Sequence, residues 1–191
     1  MRVYSFAVLL SILLTASATA KQESKGSPKP VTDNLRARSA KTQTDVDRSS
    51  TAIGEILEGN RCYKSKEYQM AIAHYRKAIV LSPEMFQGYS NLGLVYIDLQ
   101  RYQEAAQAFK QALALGADSA PTYRYLGLAY YRLKQMNLAA HYYEKQVQVE
   151  PTSALAHNNL GFANAYLKRY EESEKSFKAA LLLDPNLGNA T

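Results

Sequence analysis

The chain has 191 residues, a formal net charge of +6, 15 Tyr, 5 Phe, no Trp and one cysteine, Cys62. That length allows one ordinary domain with a tail, and a single cysteine excludes an intramolecular disulfide. Residues 21–51 hold seven Lys/Arg against four Asp/Glu and the rest of the chain beyond them 15 against 13, so the isoelectric point of ≈ 9.3 reflects a polar tail and is not evidence of a basic nucleic-acid face; no nucleic-acid partner is expected.

Residues 1–20 read as a secretory signal peptide. Arg2 is the positive start, and residues 3–16 are a mostly apolar run, shorter than the ~20 residues that span a bilayer. Ala18, Thr19 and Ala20 offer small residues for cleavage near Ala20, ahead of the polar Lys21. An uncleaved interfacial anchor is the alternative. No cysteine lies near that point, so a lipoprotein anchor is not supported. The mature chain is then expected in an exported compartment, periplasmic or secreted, with no integral membrane segment. Residues 21–50 are Lys, Ser, Thr, Pro, Asp and Gln with few apolar groups, and Lys25–Pro30 is the clearest linker. Such a segment buries too little surface to offset chain entropy and is expected to be disordered.

From residue 51 the pattern becomes helical and periodic. Gly59, Gly93, Gly127 and Gly161 are spaced 34 apart. In the same phase come Tyr68, Tyr102, Met136 and Tyr170, then Ala71, Ala105, Ala139 and Ser173, then Tyr75, Phe109, Tyr143 and Phe177. Ala78, Ala112, Gln146 and Ala180 follow, and Pro83, Ala117, Pro151 and Pro185 close the units. A fixed period without insertion marks a repeat array. Tyr89, Leu92, Tyr96 and Leu99 form one helix face, and Tyr102, Ala105, Phe109, Ala112 and Leu113 the face of a second helix. Pro121 sits where the next helix begins. Gly93 and Ala105 are small because two helices cross there at ~8–10 Å. The aromatic series is expected to fill the space between one pair and the next.

These residues resemble the tetratricopeptide repeat family. The matches are Leu92-Gly93, Leu126-Gly127, Leu160-Gly161, Tyr96, Tyr130, the alanines at 71, 105 and 139, the aromatic series, and Pro83, Pro151 and Pro185. Departures are Glu58 before Gly59, Asn164 in the place of Tyr96, Gln146 for a small residue, and Ala117 for the closing proline. The resemblance implies an all-α, right-handed superhelical solenoid of four helix pairs, at about 52–85, 86–119, 120–153 and 154–187, with a short tail at 188–191. It also implies a concave groove lined by the first helix of each pair. Groove positions would be Asn60, Tyr63 and Lys64 in the first unit, and Gln87, Asn91, Leu94 and Asp98 in the second. Arg124, Tyr125, Leu128, Tyr131 and Arg132 follow in the third, and Asn158, Asn159, Phe162 and Tyr166 in the fourth. Asn can pair with peptide amides, Tyr and Phe supply rigid contact area, and Arg can fork onto a carboxylate. Arg124 and Arg132, two turns apart, are the expected anchor for an acidic group. Some family members clamp a partner's C-terminal carboxylate. Asn60 and Asn91 match that clamp, but Ile56, Gln87 and Pro121 do not supply its lysines and Tyr125 stands where an arginine is wanted, so a chaperone-tail binder is disfavoured.

No histidine pair has metal-ligand spacing among His74, His141 and His157, and Cys62 reads as a buried small residue. Catalytic triads, phosphate loops and paired carboxylates do not appear. The chain is therefore read as non-catalytic, without metal or cofactor. Asn189-Ala190-Thr191 is formally a glycosylation acceptor. Two functions stay open: an interaction scaffold or adaptor assembling an envelope or export complex, and a regulatory or substrate-recognition subunit of an exported enzyme. The last helix, expected over residues 170–183, leaves an apolar edge at Phe177, Ala180 and Leu181 that suggests self-association or end-on docking.

Overall fold

The computed structural model describes residues 31–187. The expected signal peptide, residues 21–30 of the expected linker and the 188–191 tail lie outside them. Chain contacts divide the molecule into units at 1–44 and 45–191. Eight helices are described: α1 Val31–Lys64, α2 Tyr68–Leu81, α3 Phe86–Asp98, α4 Tyr102–Ala114, α5 Ala120–Arg132, α6 Met136–Val149, α7 Ala154–Tyr166 and α8 Tyr170–Leu183. No strand occurs among the described residues. None of these helices is long and apolar enough to cross a membrane.

The linker expectation is corrected over its second half, where residues 31–50 are helical. Low hydrophobicity forbids burial, and the described side chains from Arg38 to Arg48 are indeed exposed. It does not forbid a helix. Residues 31–50 contain neither Gly nor Pro, and once a packed segment has nucleated a helix, adding turns costs little. The packed segment is the end of α1, where Ala52 and Ile56 are buried against Ala78, with Leu81 and Met85 alongside.

Within 45–187 the fold is the expected solenoid. The end of α1 pairs with α2, then α3 with α4, α5 with α6 and α7 with α8, and neighbouring pairs stack. The core runs unbroken through them. Ala71, Ala105 and Ala139 are fully buried, as are Val95, Leu126 and Ala163. The glycine series has a sharper cause than helix crossing alone. A Cβ on Gly93 would come within 2.8 Å of the Phe109 ring, closer than any side chain tolerates. The aromatic thus lies on its own pair's glycine. It also reaches the next pair, since Phe109 stacks on Tyr125 at 5.4 Å and 7°. Where the series replaces Ala by Ser173, the hydroxyl donates to the Gly161 carbonyl at 2.9 Å, so a polar group is buried at no unmet cost. Gln146 has no such partner: it is 2% exposed and its Oε1 accepts nothing among the described residues.

Each pair turns in the same way. Lys66, Gln100, Lys134 and Lys168 have φ of 62°, 58°, 59° and 60°, and the residue after each donates its backbone N–H back to Cys62, Tyr96, Tyr130 and Asn164 at 2.8–2.9 Å. That bond satisfies a carbonyl at the helix end and reverses the chain within three residues. The C-terminal edge is apolar and open. Phe177 is half-buried where its three counterparts are buried, and Leu182 is 85% exposed.

Candidate functional site

The first helices of the pairs stand side by side, and side chains that the packing leaves free line the face they share. The sixteen expected groove residues are all half-buried or exposed. What distinguishes them is which ones bond to each other.

At the first two pairs several polar groups already bond to one another. Tyr75 donates its hydroxyl to Asn60 Oδ1 at 2.8 Å, and Asn91 Nδ2 donates to the same oxygen at 2.9 Å. Tyr63 donates to Asp98 Oδ2 at 2.8 Å. Burial and then the carboxylate beside it raise the Tyr63 hydroxyl well above its ordinary pKa, so it stays a donor. Burial likewise pushes Tyr75 up to about 12. Asn60 and Asn91, expected to meet peptide amides, thus hold α1 to α3. Lys64 and Gln87 are exposed beside them.

The middle of the face is aromatic. Leu94 and Phe109 replace the polar pair of the first unit. Tyr125 lies flat on Phe109, and the Arg124 guanidinium sits 4.3 Å over the Tyr125 ring. Arg124 is therefore occupied by a cation–π contact, and does not act as a matched twin of Arg132.

Between the third and fourth pairs the face opens. Leu128, Tyr131, Arg132, Tyr143, Asn159 and Phe162 line a recess of ≈ 170 Å³. Phe162 meets Phe177 edge-on at 5.1 Å. Burial, with Tyr131 nearby, raises the Tyr143 hydroxyl above its ordinary range, while Arg132 and Arg124 act against that rise. Asn158 and Tyr166 flank the same helix, Tyr166 being 58% exposed. Sequence reasoning assigned Tyr143 to packing alone. The signal was present: the residue in the register of Asn60 is Leu128, so the hydroxyl of the third unit loses the acceptor that the first unit provides.

Other groups have local roles. Glu55 takes Lys77 Nζ at 2.6 Å and His74 Nδ1 at 2.8 Å, and these hydrogen bonds, Lys77's first, lower its pKa. His157 Nε2 lies 2.9 Å from the Pro151 carbonyl, and His141 packs on Tyr142. No three His, Cys, Asp or Glu cluster for a metal among the described residues. Cys62 is buried and free.

Family models agree with the geometry. A TPR repeat model matches residues 59–98, tetratricopeptide repeat models match 86–118 and 154–187, and another matches 125–153. No curated protein matches the chain. Among solved structures, YrrB, described as a TPR protein with an unusual peptide-binding site, is 28% identical with a TM-score of 0.69, covering 73% of this chain and 72% of that one. MamA is 25% identical with a TM-score of 0.68, over 80% of this chain and 88% of its own. The first TPR of Spaghetti (RPAP3), bound to the HSP90 peptide SRMEEVD, is 26% identical with a TM-score of 0.61, over 63% and 95%.

Proposed function

The chain carries tetratricopeptide repeats, and from that premise we propose that it is a non-catalytic adaptor of an exported compartment that docks a peptide or protein segment along the first-helix face. The observation that carries this reading is the recess between the third and fourth pairs, which opens on that face with an arginine, an asparagine and a tyrosine hydroxyl in its wall. A preformed face takes up an extended segment without the ordering cost of a flexible site. Two structural neighbours support it, one described as having an unusual peptide-binding site and one bound to a peptide. Export rests on residues 1–20, and assembly of an envelope or export complex is the role that fits an exported adaptor.

The test is capture of partners by the exported chain, whose N-terminus is expected at Lys21. Arg124→Ala/Arg132→Ala is expected to lose the partners that the wild type retains. Identical partners on both would overturn docking on the face in its arginine-anchored form. The open edge at Phe177, Leu181 and Leu182 supports a second contact, with another copy of the chain. Sedimentation should then show a dimer that Leu182→Lys reduces to monomer. A wild type that stays monomeric at high concentration rules that contact out.

A further inference from the structure

The first and third helix pairs present the same aromatic residue in the same register to different surroundings. In the first, the Tyr75 hydroxyl and the Asn91 amide converge on Asn60 Oδ1, at 2.8 and 2.9 Å. In the third, Tyr143 corresponds to Tyr75, Asn159 to Asn91 two units on, and Leu128 to Asn60. The two donors remain and their shared acceptor has been replaced by an aliphatic group. Where that acceptor would lie, the recess opens.

The chemistry of the wall follows from this. Arg132 brings five N–H donors and a positive charge, Asn159 an amide N–H₂ and Tyr143 a hydroxyl. None of the three side chains has a hydrogen-bond or ion-pair partner among the described residues. No carboxylate lines the recess. Leu128 and Phe162 supply apolar walls, and Phe162 is 52% exposed. The raised pKa of Tyr143 keeps its proton in place at neutral pH. A wholly apolar occupant would bury these donors unsatisfied, which costs about 1–3 kcal/mol for each. A dianion would call for a second cation, and Arg124 lies on the Tyr125 ring.

We propose that the recess is a specificity pocket for a glutamate side chain in an extended peptide ligand. Its methylenes lie on Leu128 and Phe162, and its carboxylate accepts hydrogen bonds from Arg132, Tyr143 and Asn159. The ligand supplies the acceptor that Asn60 supplies internally in the first unit. This rests on the peptide-docking reading above and adds which residue the peptide must carry.

The experiment selects binders to the full chain from two random heptapeptide display libraries, one with the peptide's C-terminus free and one with it fused. The expected result is enrichment of glutamate at one internal position in both. In the best selected peptide, Glu→Gln should weaken binding to wild type about 10- to 100-fold, the loss of charge-assisted hydrogen bonding. It should have little effect on binding to Arg132→Gln, and Tyr143→Phe should fall between. Circular dichroism of both variants checks that they fold, and Arg132 is exposed, so its change leaves the core untouched. Peptides that bind the groove with no acidic preference, or with one that survives in Arg132→Gln, overturn the pocket while leaving the docking reading standing. A preference confined to the free-C-terminus library assigns the site to a terminal carboxylate and overturns the proposal. No binders from either library overturns both readings together.

Discussion

Phe109→Ala lowers the unfolding free energy by about 4 kcal/mol, and the same change at Phe177 costs about half as much. The two residues hold one register position in different pairs. Phe109 is 2% exposed, seated on Gly93 and stacked on Tyr125. Truncating it opens a cavity bounded on one side by a glycine, which has no side chain to collapse inward, so little of the loss is recovered. Phe177 is half-buried and lies at the open edge, where water fills the space instead. Urea unfolding of both variants against wild type measures the ratio. Equal losses would mean that the last pair is covered as well as the central ones, contrary to the exposure of Leu181 and Leu182.

Gly127→Val costs about 3 kcal/mol and abolishes the recess. The Cβ alone would stand 2.5 Å from Cε1 of Tyr143 and 2.6 Å from Cδ1, on a ring that is 3% exposed. The valine cannot move, because it is fixed to α5 in mid-helix, and the ring borders the recess, into which it is pushed. Stability and ligand binding should therefore fall together. Adding Tyr143→Ala removes the obstacle. The double variant should be more stable than the sum of the single losses predicts by more than about 1 kcal/mol, since contacting residues are not additive. An additive cycle would show that the ring and the glycine do not touch.

The same contact explains what the sequence made legible. Four glycines recur at 34-residue spacing because an aromatic ring lies on each, and a ring admits no exception. Periodicity of that kind reports what every unit shares, so it recovers the helix pairs, their turns and the buried alanines. It is silent on what one unit does alone. The recess exists because Leu128 departs from Asn60, and its significance depends on Tyr143 facing that departure, two helices brought together only by folding. Asn60 and Asn91 show the converse: each looked free in sequence, and the two are hydrogen-bonded to each other. The helical residues 31–50 were hidden for another reason. Composition measures how much surface a segment can bury, and a helix propagated from a packed neighbour does not depend on burial of its own.

A helix pair in such a stack contacts only the pairs beside it. Among the described helices, the inner pairs are clasped from two sides and the outer pairs from one. Opening of the array therefore begins at the outer pairs, α8 among them, and proceeds inward, with amide exchange slowest near Leu126. The recess lies across that frontier, its walls shared between α5, α6 and α7. Whatever fills it bridges an outer pair to the firmer one before it, so occupancy and closure of that pair form a single equilibrium.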